Sequence, residues 1–304
     1  MEGEFIRWLR TRLPVHSALE LGIGSDAAVV RVPSGKSVVT TDALMDGVDF
    51  HLAETDPARI GRKSLAVNLS DLAAMGARPT AVLVSLMLPK SGALELAQRL
   101  FEGILALAEQ FDVAIAGGDT NTWNGPLAIS ITAMGEPPAR GVWTRSGARS
   151  GDWLLATGAF GGSILGHHFD FVPRVNLACA VAARYDIHAA TDVSDGLSLD
   201  LSHIVSESGC GVVVDLESIP ISPAARQLAS ERPEGGSALS HALSDGEDFQ
   251  LLLAVPPDEA RRLLADVEWG REFAAIGRFC ERRGMWGRDA TGVESPLAAR
   301  GYEH

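Results

Sequence analysis

Six aspartates in this chain stand beside glycines or other small residues, at the ends of expected elements or on an apolar helix: Asp26, Asp42, Asp71, Asp119, Asp192 and Asp195. Carboxylates brought close together repel, and they take up protons or destabilise the fold unless cations sit among them. Hard oxygen ligands in partial sets suit Mg²⁺ bridging nucleotide phosphates. The chemistry that follows is phosphoryl transfer, run by metals and positioning rather than by a catalytic lysine. The lysines agree with this: only Lys36, Lys63 and Lys90 occur, and none lies in a glycine-rich loop. The sequence has no G-x-x-x-x-G-K-[ST] loop, EF-hand, H-E-x-x-H or nucleophile elbow.

The elements that must carry these acids can be read from periodicity. After Thr191-Asp192-Val193-Ser194-Asp195-Gly196, the residues Leu197, Leu201, Ile204 and Val205 recur at helical spacing, and Gly209 is placed to end the helix. Asp192 and Asp195 are therefore expected at a helix start, where the macrodipole favours negative charge and a helical first turn puts both carboxylates on one side. An N-cap followed by a first-turn acid reads the same way. Ser37 to Thr41 is expected as a β-branched strand running into Asp42, so that Thr40, Thr41 and Asp42 present hydroxyl and carboxylate oxygens at a sheet edge. A strand-end turn is the plainer alternative.

Pro57 to Gly76 reads as a helix with an apolar stripe of Leu65, Leu69 and Leu72 and a polar stripe of Ser64, Asn68 and Asp71. Such a polar stripe is usually a solvated face, yet the abundance of Ala, Leu and Val here favours an acid turned inward. Val113 to Ala116 reads as a buried strand that delivers Asp119 through Gly117 and Gly118, and Gly22 to Asp26 as a glycine-punctuated turn entering another strand. A helix at Glu4 to Leu13, strands at Ala81 to Leu88 and Leu127 to Met134, and a helix carrying Leu96, Leu100 and Leu107 complete a βαβ-rich first half. The proline pair Pro137-Pro138 marks a boundary, giving domains 1–137 and 138–304. In the second half, strands are expected at Trp153 to Thr157, Gly211 to Leu216 and Phe249 to Val255. The turn Gly158 to Ser163 can offer backbone N–H groups to a phosphate.

Composition narrows the class. The 304 residues suffice for two domains, and 46% hydrophobic content supplies a core. A net charge of −13 argues against nucleic acid or an anionic membrane as partner. Three scattered cysteines match no zinc spacing or disulfide framework, and no signal segment or spanning run is evident, so a cytoplasmic protein is expected.

The ordered motifs resemble one family, thiamine-monophosphate kinase, of the superfamily that includes aminoimidazole ribonucleotide synthetase. They are Gly22-Ile23-Gly24-Ser25-Asp26, Thr40-Thr41-Asp42, Asn68-Leu69-Ser70-Asp71 with Ala74-Met75-Gly76, and Gly117-Gly118-Asp119-Thr120. Arg145 with Gly147-Ala148, Pro173-Arg174, Asp192-Val193-Ser194-Asp195-Gly196, Gly246-Glu247-Asp248 and the terminal Gly301-Tyr302-Glu303-His304 continue the set. The resemblance implies a two-domain α/β (α+β) fold, with an N-terminal half that dimerises and binds ATP and metal and a C-terminal half that completes the active site. It implies transfer of the γ-phosphate of ATP onto thiamine monophosphate, with Mg²⁺. By position, Asp26, Thr40, Thr41, Asp42, Asp71, Asp119, Asp192 and Asp195 match metal ligands, and Gly118, Asp119, Arg145 and Ser194 match ATP contacts. Asp71, Asp119 and Arg145 match the catalytic set, and Glu247 and Tyr302 match substrate contacts.

Four departures bear on the acceptor and nucleotide sides. Asp49 stands where the family usually has a substrate-contacting His, Phe101 where a Tyr faces ATP, and Asp245 where a second glycine precedes Glu247. The segment before Pro173-Arg174 is also short. Alternatives are the same machinery acting on a different small acceptor, or a dimeric nucleotide-binding module without catalysis.

Overall fold

The computed structural model describes residues 5, 8, 9, 11–21, 29–33 and 35–302. Asp26 and the turn around it lie outside these residues. The chain divides into two units, Met1–Leu72 with Ala77–Pro137, and Ala73–Gly76 with Pro138–His304. Each is a mixed α/β unit, the fold class expected from the sequence.

In the first unit Phe5, Trp8 and Leu9 are helical and precede a short hairpin, β1 (Leu19–Leu21) with β2 (Val29–Val30). Next come strand β3 (Val38–Met45), helix α1 (Pro57–Ala74), β4 (Arg78–Pro89), α2 (Ala93–Gln110), β5 (Ala114–Trp123) and β6 (Ala128–Glu136). The strands form a sheet in the order β3-β6-β4-β5. β4 and β5 are parallel and joined by α2, while β6 runs antiparallel to both its neighbours.

Two strands outrun their sequence expectation. β3 continues three residues past Asp42 because Ala43, Leu44 and Met45 keep pairing with β6, so Asp42 lies inside a strand rather than at its end. β5 likewise runs on through Gly117, Gly118 and Asp119 to Trp123. A Cβ on Gly118 would fall 1.8 Å from the Val84 carbonyl oxygen, so only glycine lets β5 stay this close to β4.

Helix α1 starts where Asp56 Oδ1 accepts the Ala58 N–H at 3.0 Å, with Pro57 in the first turn. It ends at Gly76, whose φ of 66° lets Ala77 N–H reach back to the Leu72 carbonyl at 2.9 Å. Its apolar stripe of Leu65, Leu69 and Leu72 is fully buried, and so are Ser64 and Asn68 of the polar stripe. α1 and α2 cross on glycines. A Cβ at Gly61 would meet the Leu100 carbonyl oxygen at 2.0 Å, and one at Gly103 the Ala58 carbonyl oxygen at 1.8 Å. Gly103→Ala is therefore expected to destabilise the protein by about 1–3 kcal/mol or more, as overpacking of a closed contact does. Thermal unfolding of the variant measures it; an unchanged midpoint would show that the helices part freely.

The second unit holds a seven-stranded sheet. Its elements in chain order are β7 (Trp153–Thr157), α3 (His167–Asp170), α4 (Val175–Arg184), β8 (Ala189–Asp192), α5 (Leu197–Ser208), β9 (Gly211–Asp215) and α6 (Pro223–Glu231), then α7 (Ala238–Ser244), β10 (Leu251–Val255), α8 (Pro257–Leu264), β11 (Phe273–Cys280), β12 (Gly284–Arg288) and β13 (Glu294–Pro296). The sheet order is β13-β12-β9-β11-β7-β10-β8, with only β9 and β12 parallel. Leu197, Leu201, Ile204 and Val205 of α5 pack into the main core with Leu154, Val212, Val214, Leu252 and Ile276. Gly209 ends α5 in the left-handed conformation, as the spacing predicts.

Candidate active site

Strand alternation decides which groups of β3 can act together. Thr40, Asp42 and Leu44 pair with Ala133, Ile131 and Ile129, all buried, so they share the sheet face that the core covers. Thr41 alternates to the opposite face, where its hydroxyl donates to the Ile131 carbonyl and accepts from Thr132 Oγ1, each at 3.1 Å. Across the core-side face stands Asp71 of α1, and Thr40 Oγ1 donates to its Oδ2 at 2.5 Å. The polar stripe of α1 thus ends in a half-buried acid facing the strand, as its apolar surroundings suggested.

Asp42 is the strained member of this group. Its Oδ2 is buried and has no hydrogen-bond partner. Burial, then the charges of Asp71 and Asp49, push its carboxyl up to about 7. A hydroxyl and neighbouring carboxylates, one with an unanswered oxygen, form a donor set that fits a hard divalent cation. Asp49 joins electrostatically, but its Oδ2 accepts the Met45 N–H at 2.7 Å and closes its own turn. Beneath that turn the fully buried Lys63 donates to the Asp49 carbonyl at 2.9 Å.

Among the described residues no three His, Cys, Asp or Glu side chains are gathered into a ready-made metal cage. The register explains part of this. Asp119 is exposed on β5, three strands from β3, or roughly 14 Å at ordinary strand spacing. Gly118 shares the row of Asp42, through Ile131 and Val84. Phe101 is buried and meets Phe5 edge-on at 5.2 Å.

In the second unit the aspartate turn differs from its sequence expectation. Asp192 is the last residue of β8 and is buried; Asp195 precedes Gly196, which is the N-cap of α5. Neither acid belongs to the helix. The first-turn acid is Asp200, whose Oδ2 accepts the N–H groups of Asp195 and Gly196 at 3.0 and 3.1 Å. Burial pushes the Asp200 carboxyl up to about 7 against the pull of those N–H groups. Asp200 therefore holds the turn that carries Asp195. It was within reach of the sequence, as an acid four residues after the turn's glycine on the first turn of a helix.

Other predicted residues converge on the same turn. Ser194 O accepts the Glu247 N–H at 2.6 Å, and Asp195 O accepts the Tyr302 N–H at 2.9 Å. The tail is fixed there by Ser198 Oγ, which donates to the Arg300 carbonyl at 2.9 Å. Arg145 is exposed, with its Nε donating to Thr191 Oγ1 at 3.3 Å. Ser194, Asp195, Glu247, Tyr302 and Arg145 thus surround one strand end.

The glycine-rich turn after β7 is not a phosphate cradle. Gly161 N–H is taken by both Asp248 oxygens at 2.9 Å, and Gly162 N–H by Asp245 Oδ2 at 2.8 Å. Its donors are satisfied by the chain's own carboxylates. Asp248 is 1% exposed, and burial, helped by the charge of Asp245, pushes it up to about 8. Asp245 is thereby a structural acceptor.

Two α/β units in tandem, the first presenting Asp42 from a strand and Asp71 from the last turn of a helix, the second presenting Asp192 and Asp195 between a strand end and a helix start, define a class of protein. The AIR synthase related protein N-terminal domain matches residues 24–136, and the C-terminal domain of the same family matches residues 142–287. Over 100% of this chain and 97% of the relative, the sequence is 44% identical to the thiamine-monophosphate kinase of Rhodopirellula baltica. The chain belongs to the thiamine-monophosphate kinase family. The crystal structure of thiamine-monophosphate kinase from Stenotrophomonas maltophilia K279a superposes with a TM-score of 0.80 at 35% identity, over 93% of this chain and 95% of that one. AaThiL complexed with AMPPCP and TMP gives 0.78 at 27% identity, over 93% and 91%.

Proposed function

We propose that this protein is an ATP-dependent kinase of thiamine monophosphate. An oxygen of the acceptor phosphate attacks the γ-phosphorus of ATP, the bond to the bridging oxygen breaks, and thiamine diphosphate and ADP leave. The observation in this chain that carries the reading is the Thr40, Asp42 and Asp71 group, with its buried, unanswered carboxylate oxygen. A full-length relatedness to thiamine-monophosphate kinases and a fold shared with a protein solved with AMPPCP and TMP support the substrates.

Asp26, Thr40, Thr41, Asp42, Asp71, Asp119, Asp192 and Asp195 are the residues we assign to Mg²⁺. When bound, the ions would neutralise the phosphates of donor and acceptor. Asp42 and Asp71 would be relieved of mutual repulsion at the same time. Gly118, Asp119, Arg145 and Ser194 are assigned to ATP, with the exposed guanidinium of Arg145 offering paired donors to a phosphate. Glu247, Tyr302 and Asp49 are assigned to the acceptor. Residues 1–137 and 138–304 act as the two domains, and the protein works in the cytoplasm as a homodimer. The open sheet face of the first unit supports the dimer, because Val39, Met45 and Leu83 are exposed on it. No helix among the described residues is long and apolar enough to cross a membrane.

The test is a turnover assay with thiamine monophosphate, ATP and Mg²⁺, following thiamine diphosphate and ADP. Equal amounts of both products are expected. No product at any Mg²⁺ concentration would remove the reading, and ATP consumption with another phosphorylated vitamin or a nucleotide alone would transfer it to that acceptor.

A further inference from the structure

The short segment before Pro173 meets the Glu247 loop at three successive points. His167 Nε2 lies 3.3 Å from the Asp248 carbonyl oxygen, and His168 Nδ1 lies 3.1 Å from Glu247 Oε2. Phe171 stacks on Phe249, with ring centroids 4.0 Å apart and planes 15° from parallel. The loop it meets is unusual. Glu247 and Phe249 are non-glycine residues at φ 61° and 49°, in the left-handed region that side chains rarely adopt. Such backbone persists only when its surroundings determine it more than once.

Those surroundings can be traced residue by residue. Ser163 Oγ donates to the Gly246 carbonyl at 2.5 Å, Glu247 N–H donates to the Ser194 carbonyl at 2.6 Å, and Asp248 is fixed by the Gly161 N–H. The backbone of Glu247 is therefore held on both flanks. Its side chain is another matter, because a glutamate has three rotatable bonds beyond a fixed backbone, and this one is partly exposed. His168 is the rigid counterpart. It is 6% exposed, sits on the one-turn helix α3, and packs against the Phe169 ring with centroids 4.0 Å apart.

We infer that His168 is a positioning residue for the acceptor side: it holds the Glu247 carboxylate in the one orientation that meets thiamine monophosphate. The inference rests on the proposed assignment of Glu247 to the acceptor. The chemistry is consistent, since the thiamine moiety carries a cationic ring and an amino group, and an aligned carboxylate accepts from or pairs with either.

Two substitutions separate positioning from packing. In His168→Asn the amide nitrogen takes roughly the place of Nδ1, whereas in His168→Gln it takes the place of Nε2 and leaves Glu247 without that contact. His168→Gln is expected to raise KM for thiamine monophosphate about tenfold, the scale of one lost polar contact to a charged group, with kcat and the KM for ATP little changed. His168→Asn is expected to restore most of that loss. Equal effects of the two variants, or a fall in kcat with KM unchanged, would overturn the inference in favour of a packing role. Glu247→Gln is measured alongside. If it leaves the acceptor KM unchanged, the assignment of Glu247 fails and the inference falls with it. If it raises the KM while His168→Gln does not, only the inference is lost.

Discussion

Asp71→Asn should lower turnover by about 10²–10³-fold, the scale on which single preorganised electrostatic groups act, while leaving the fold intact. The substitution keeps shape and keeps an oxygen to accept the Thr40 hydroxyl, so the contact made at 2.5 Å between strand and helix survives. What disappears is the charge. Asp71 is the second contributor, after burial, to the raised carboxyl of Asp42, so removing it relaxes Asp42 at the same time as it removes a proposed ligand. Metal-free stability should therefore hold steady or rise while kcat falls. A variant that unfolds would mean that the acid is a structural element of α1, and one with wild-type turnover would remove Asp71 from the reaction. The paired measurements are kcat at saturating Mg²⁺ and the metal-free unfolding midpoint.

How much of this was legible beforehand depended on whether the signal was local. The periodicity of α5 and its Gly209 stop were readable because both the apolar spacing and the left-handed cap are written in consecutive residues. The inward acid of α1 was readable for the same reason: a helix lined with Leu65, Leu69 and Leu72 leaves little surface for a polar stripe. The extent of β3 was not, since Ala43 to Met45 stay in the strand only through pairing with β6, some ninety residues away in the chain. The glycine-rich turn misled because a free N–H and one already taken by Asp245 or Asp248 look alike in sequence, and those acids lie more than eighty residues downstream. Asp192 and Asp195 stand ahead of the helix start that their spacing predicts, the first ending β8 and the second preceding the N-cap Gly196. The signal that would have corrected them was Asp200, which caps the turn from inside α5. His168 carried no pattern at all, and its meeting with Glu247 is purely tertiary.

The stability of the metal-free protein should fall as pH rises through neutrality, and Mg²⁺ should reverse that fall. The Asp42 carboxyl is held up to about 7 from an ordinary 3.8, first by burial and then by Asp71 and Asp49. A folded-state value above the unfolded one means that the native protein binds the proton more tightly. The associated stability is fully present below about pH 4 and is lost as pH climbs through about 7. Above that, the deprotonated carboxylate with its buried Oδ2 has no hydrogen bond to offset it, which is the state a divalent cation would bind. Unfolding midpoints should therefore decline between about pH 5.5 and pH 8 without metal, as linkage to a carboxyl raised to about 7 requires. Adding Mg²⁺ at about 100 times its dissociation constant should restore on the order of 2.7 kcal/mol at the higher pH and far less at the lower one. Asp42→Asn should lessen the metal-free decline, leaving the shares of Asp200 and Asp248, and remove most of the Mg²⁺ gain, because the amide neither titrates nor carries charge. A gain from Mg²⁺ that is equal at both pH values, or that survives in Asp42→Asn, would place the cation away from Asp42 and leave its unanswered oxygen to be explained by folding alone.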